Sequence, residues 1–164
     1  RHFGVSNQNP MMMELLKTAV KQPLKVNQLQ LSAAFTPSFE AGFHVNMEGP
    51  KATVRDGSVF EYCRLTDTVI QAWSVLQHGF FKGNFVGKEE FAALNHVLND
   101  LAKKYQVTPT AIALAWVLRY PGKMQAAIGT TKPQHVLEAG KAAEVTLTRK
   151  EWYQIYLAAG NDLP

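Results

Sequence analysis

The 164-residue sequence predicts an α/β fold, the second half of a (β/α)8 TIM barrel made of four parallel βα units and a C-terminal helix. Three observations lead there. A short apolar run, a polar or glycine-bearing turn and a helical segment follow one another four times, the runs being "HFGV", "VNQLQL", "VIQAW" and "AAIG". The stretches between runs are long enough for the helix that parallel neighbours need as a crossover, so the alternation implies a parallel sheet. Four units are half of a barrel of roughly 250 residues, and the chain opens on "RHFGVSN", already inside an apolar run. A four-stranded arc alone would leave two parallel edges unpaired. Residues 1–164 are therefore expected to be the C-terminal half of one barrel domain, with an N-terminal half upstream or as a separate piece.

In the first unit Asn9 is a good N-cap and Pro10 suits the first helical turn, while Met12, Leu15, Leu16 and Ala19 mark an apolar face. The second run is followed by residues 33–57, whose Pro, Gly, Asn and aromatic content predicts loop, and then by a short helix through "SVFEYCRLTD". After "VIQAW" the glycine-rich turn "QHGFFKGNFVG" leads into the helix "KEEFAALNHVLNDLAKKY". Thr108 and Pro109 then start a second helix, "TPTAIALAWVLRYP". The last run leads into "TTKPQHVLEAGKAAEV", and the helix "TRKEWYQIYLAAG" follows.

A hydrophobic share of 46% with 18% charged residues is that of an ordinary globular domain with one core, not of a disordered chain. No run approaches the roughly 18 apolar residues of a membrane span, and no basic-then-apolar leader is present. No membrane partner and a cytoplasmic location are expected. Cys63 is the single cysteine, which excludes an internal disulfide and a Cys-rich metal centre. His2, His44, His78 and His96 lack ligand spacing, so no metal is expected. The net charge of +4 comes from 17 basic residues scattered among 13 acidic ones, which argues against nucleic acid and suits a small phosphate-bearing ligand.

In a parallel α/β fold the ligand meets the carboxyl ends of the strands, so the residues just past each run matter most. These are Ser6 and Asn7, Gln28 inside the second run, Trp73 and Ser74, then Gly129, Thr130 and Thr131. The set offers amides, hydroxyls and one flat aromatic face, with no obvious acid or base. Amides suit a neutral carboxamide, and an indole suits a stacked planar ring. In "GTTKPQHVLEAG", Thr131 or Lys132 stands at a helix N-cap and Pro133 near the first helical position. Free N–H groups, Lys132 and His135 would together receive a phosphate.

Taken in order, "FGVSN", "VNQLQLS", "AWSVLQHG" and "IGTTKPQHV" resemble the fifth to eighth strands of an aldo-keto reductase, and the combination of "RHFGVSN", "AGFHVNM" and "AWSVLQHG" brings the resemblance closest to the YdhF-like bacterial branch of that family. The resemblance implies hydride transfer between NADP(H) and a small-molecule carbonyl or alcohol substrate. It implies that Ser6, Asn7 and Gln28 hold the nicotinamide carboxamide, Trp73 stacks under the ring, and Ser74, Val75 and Leu76 line the pyrophosphate. Gly129, Thr130, Thr131, Lys132, His135 and Glu138 would then surround the adenosine ribose and its 2′-phosphate. The family's catalytic Asp, Tyr, Lys and His lie on its first four units, so no catalytic residue is assigned here and this half alone is expected to be inactive.

Two departures from the family pattern stand out. Val75-Leu76-Gln77 replaces the usual Pro-Leu-Gly, and His135 stands where many members place an Arg against the 2′-phosphate. Residues 33–57 and Phe80 with Phe81 are expected to border the substrate. A non-catalytic half-barrel that binds a nucleotide or a protein partner remains the alternative.

Overall fold

The computed structural model describes residues 2–43, 58–78 and 83–163. His44, the greater part of the expected 33–57 loop and the Phe80–Phe81 turn lie outside these residues. Four strands, β1 (Phe3–Ser6), β2 (Leu24–Gln30), β3 (Val69–Trp73) and β4 (Met124–Ala126), stand side by side in chain order, every neighbouring pair parallel. Helix α1 (Pro10–Ala19) connects β1 to β2, and α2 (Pro37–Phe43) and α3 (Val59–Leu65) lie between β2 and β3. Helices α4 (Ala92–Tyr105) and α5 (Pro109–Leu118) lie between β3 and β4, while α6 (Pro133–Gly140) and α7 (Arg149–Ala158) follow. This is the expected four-unit, half-barrel architecture with its C-terminal helix.

The local signals act as anticipated at three helix starts. The Asn9 side chain accepts the Met12 N–H at 2.9 Å, and the Thr108 hydroxyl accepts the Ala111 N–H at 3.2 Å, each just ahead of a proline at the first helical position. Helix α7 starts with a capping box. Thr148 Oγ1 accepts the Glu151 N–H at 3.3 Å, and Glu151 Oε2 accepts the Thr148 N–H at 2.7 Å. Glu151 also receives the Lys104 ammonium at 2.6 Å and the Tyr105 hydroxyl at 2.9 Å, which ties the end of α4 to the start of α7.

The core lies on one face of the sheet. Leu29, Ile70 and Ala72 are buried there in one apolar cluster with Ala111 to Val117 of α5. A helix that is apolar all round must be covered on all sides, and α5 packs against α4, α6 and β4. Farther along the layer, the rings of Trp116 and Trp152 stack with centroids 4.8 Å apart and planes 9° from parallel. Each indole N–H donates to the other residue's backbone carbonyl at 3.0 Å, so both buried donors are satisfied inside the stack.

Three sequence readings are corrected. Part of the expected 33–57 loop is helix α2, because Phe39 is buried against Phe60 and Tyr120, with ring centroids at 5.5 and 5.8 Å. Thr36 steadies that turn by bonding the Glu40 carboxylate and, through its carbonyl, the Phe39 N–H at 3.2 Å. The fourth strand covers Met124–Ala126 rather than the "AAIG" run. Its partner β3 ends at Trp73, and Ser74 turns away, so the ladder closes with the Ala127 N–H on the Ala72 carbonyl at 2.8 Å. Finally, the α1 stripe of Met12, Leu15, Leu16 and Ala19 faces outward, and Met13 is the residue that α1 buries. No helix among the described residues is long and apolar enough to cross a membrane.

Candidate functional site

Two strands end in the same unusual way. Asn7 after β1 and Ser74 after β3 adopt left-handed backbone conformations, with φ of 53° and 52°. Asn tolerates this region better than Ser does, and conformations of this kind cost of order 1–3 kcal/mol and cluster at functional sites. Asn7 is held by its own N–H, which donates to the Gln28 carbonyl at 2.9 Å. Its side-chain oxygen accepts from the Trp73 indole N–H at 3.4 Å, and the Ser6 hydroxyl reaches the Gln28 carbonyl at 3.4 Å. Ser6, Asn7, Gln28 and Trp73 thus meet at the carboxyl ends of three adjacent strands.

The face they share is opposite the core. Strand alternation sends Asn27 and Leu29 into the helical layer, where the Asn27 amide bonds the Gln8 carbonyl at 2.7 Å, and leaves Gln28 on the other side. Gln28, Gln71 and Gln125 are in register across β2, β3 and β4. The Gln28 amide donates to Gln71 Oε1 at 2.7 Å, and the Gln71 amide donates to Gln125 Oε1 at 3.2 Å. Gln30, in register with Trp73 on the same face, has a buried Nε2 with no partner among the described residues.

Beside this face opens a cavity of about 560 Å³. Trp73, Ser74, Val75 and Leu76 line one side of it; Gly129, Thr130, His135 and Glu138 line another. Eight of the sequence-predicted residues therefore border one space, though Val75 is itself a core residue. Thr131 and Lys132 do not line it; they are exposed at the start of α6. The Thr130 hydroxyl accepts the Lys132 N–H at 3.2 Å and lies 3.4 Å from His135 Nδ1. Lys132 occupies the N-cap position of α6 without a side-chain cap bond, so the first turn of that helix keeps amide donors for an anion at the mouth. Glu138 accepts the Gln134 amide at 3.0 Å.

Sequence reasoning missed Gln71, Gln125 and Gln30 on the shared face, and Thr110 and Leu114 of α5 in the cavity wall. The signal for the glutamines was present. The argument that marks Gln28, an amide inside an apolar run, applies equally to Gln71 within "VIQAW". Elsewhere the reading of Cys63 as structural agrees with its surroundings, where burial pushes the thiol up to about 11 despite a bond with Asn27. No cluster of His, Cys, Asp or Glu among the described residues could hold a metal ion.

A parallel βα arc with polar groups gathered at the strands' carboxyl ends has the architecture of half of a (β/α)8 barrel, a fold whose active sites stand at that end. The chain belongs to the aldo/keto reductase family, whose model matches residues 1–158. It is 32% identical over 162 residues to 6-dehydroglucose reductase of Agrobacterium fabrum, a match covering 98% of this chain and 47% of that protein. It is 29% identical over 166 residues to oxidoreductase YdhF of Escherichia coli, covering 100% of this chain and 49% of that one. Among solved structures, the thermostable aldo-keto reductase Tm1743, in complex with the inhibitor epalrestat, shares the fold with a TM-score of 0.68 at 22% identity, over 96% of this chain and 48% of that one. The chain spans about half the length of the relatives it matches.

Proposed function

We propose that this chain is the cofactor-binding half of an NADPH-dependent aldo-keto reductase that reduces an aldehyde or ketone to an alcohol. The observation that carries the reading is the pair of oriented amides beside Trp73. Asn7 accepts from the indole through its oxygen, which leaves its NH2 as a donor. Gln28 donates through its nitrogen, which leaves its oxygen as an acceptor. A planar carboxamide needs one of each, and the indole supplies the face on which its ring would lie. NADPH, when bound, supplies the hydride. The residues of this chain hold the ring, exclude water from one side of it and receive the phosphates between Ser74–Leu76 and the start of α6. The proton that completes the reduction comes from a Tyr, supported by Asp, Lys and His, that we assign to the companion half of the barrel in the cytoplasmic enzyme.

Removing the stacking face should weaken NADPH binding with little effect on folding. The Trp73→Ala variant is expected to lose roughly tenfold or more in affinity by titration calorimetry, since stacking on an aromatic side chain contributes about 1–3 kcal/mol. Unchanged affinity would remove the basis of the reading. A second measurement concerns His135, which replaces a permanently charged Arg. The His135→Ala variant is expected to bring the ratio of NADH to NADPH dissociation constants down, and an unchanged ratio would show that His135 does not read the 2′-phosphate.

A further inference from the structure

The cations of this chain divide by residue type. Lys17, Lys103, Lys104, Lys123 and Lys141 each stand no farther than 3.5 Å from a carboxylate oxygen. Arg64, Arg119 and Arg149 make no ion pair among the described residues, and all three line one groove of about 340 Å³. We propose that this groove is a second binding site, which takes a small phosphate-bearing anion. The inference is independent of the cofactor reading.

The three guanidiniums come from separate elements. Arg64 is in the last turn of α3, Arg119 caps the C-terminus of α5, and Arg149 opens α7. The first two stand where the chain turns into the amino ends of β3 and β4, whereas the cavity beside Trp73 stands at the carboxyl ends. The helix dipole favours a cation at the ends of α3 and α5 but opposes one at the start of α7, so dipoles do not explain why Arg149 joins the others. Its guanidinium lies over the Tyr153 ring, 5.7 Å from the centroid. Arg119 donates through Nε to the Leu147 carbonyl at 2.8 Å, which fixes the side chain and leaves its terminal NH2 groups as donors. Burial first and Glu61 second raise the Tyr120 phenol, while Arg64 draws it down, so these three groups share one wall. With Glu61 the single carboxylate in the lining, the groove holds an excess of positive charge. Phosphate oxygens accept forked donors from several arginines at once and relieve their mutual repulsion. The volume is at the small end of ligand pockets, which suits an organic phosphate better than a macromolecule.

The test titrates inorganic phosphate and glycerol 3-phosphate calorimetrically, at fixed ionic strength, into the whole protein that carries this chain. One saturable site is expected, with affinity at least about tenfold lower in Arg64→Gln and in Arg149→Gln, the effect of one lost charge-assisted hydrogen bond. Arg149→Lys, which keeps the charge without the fork, should fall between wild type and Arg149→Gln. Both positions are exposed, so these variants are expected to fold, and Arg119 is left in place to hold Leu147. Tighter binding of the ester would identify an organic phosphate as the ligand, and equal binding would identify free phosphate. Lys132→Ala, at the start of α6, should leave both affinities unchanged. Binding lost in Lys132→Ala and kept in the arginine variants would place the anion at α6 and overturn the inference, as would the absence of saturable binding at millimolar concentration. NADPH titration tests the cofactor reading separately, and neither outcome depends on the other.

Discussion

Trp116→Ala is expected to lower the folding free energy by about 3–5 kcal/mol, as large aromatic deletions from a packed core do. Trp116 is 1% exposed and stacks on Trp152. Its removal leaves a cavity and strips one buried group of its partner, the Trp152 carbonyl, which loses the Trp116 indole N–H, while the Trp152 indole can still donate to the backbone carbonyl of residue 116. Phe39 also loses a neighbour at 6.1 Å, and with it part of the contact that holds α2. Against a typical total of about 5–15 kcal/mol the loss would shift most of the unfolding transition. Urea unfolding followed by circular dichroism measures it. The Trp116→Phe variant separates the two parts of the effect, because it keeps most of the ring volume and loses only the bond from the Trp116 indole N–H; a midpoint unmoved in both variants would show that the stack contributes little.

The second large effect is electrostatic. Burial works to raise the Glu151 carboxyl, but the Lys104 ammonium, the Thr148 hydroxyl and N–H, and the Tyr105 hydroxyl outweigh it and hold the group down at about 2. Its ordinary value is 4.5, so the native state binds the proton less readily than the unfolded chain. The stabilisation is then full above about pH 4.5 and lost as pH falls toward about 2, and its size is on the order of 2–3 kcal/mol. Glu151→Gln can keep a capping contact but cannot pair with Lys104. It is expected to be less stable by about 2 kcal/mol at neutral pH and to unfold with a flatter dependence on acid over that window. Denaturant midpoints measured across the window at fixed ionic strength test this, and parallel pH profiles for the two proteins would rule it out.

Much of this fold was legible because local and global preferences agree. Asn9 with Pro10, Thr108 with Pro109, and the Thr148–Glu151 box are local devices that work where they stand. Helix α2 was not legible, since Pro37–Phe43 has weak local signals and is held by Phe39 in a distant aromatic cluster. The extent of β4 depended on where its neighbour ends, which no inspection of "MQAAIG" reveals. In the candidate site, Ser6, Asn7 and Trp73 were readable from their positions at the ends of apolar runs, and Gln28 from its place inside one. The Gln28–Gln71–Gln125 chain of bonds was not, because it depends on register between three strands.

The placement of the three tryptophans has an optical consequence. Trp116 and Trp152 lie stacked and dry in the core, whereas Trp73 is half-buried at the open face. Emission from the first two belongs at short wavelength and from the third at longer wavelength. The chain therefore carries its own two-colour reporter, in which the blue component follows unfolding and the red component would follow occupancy of the proposed cofactor site, without any added dye.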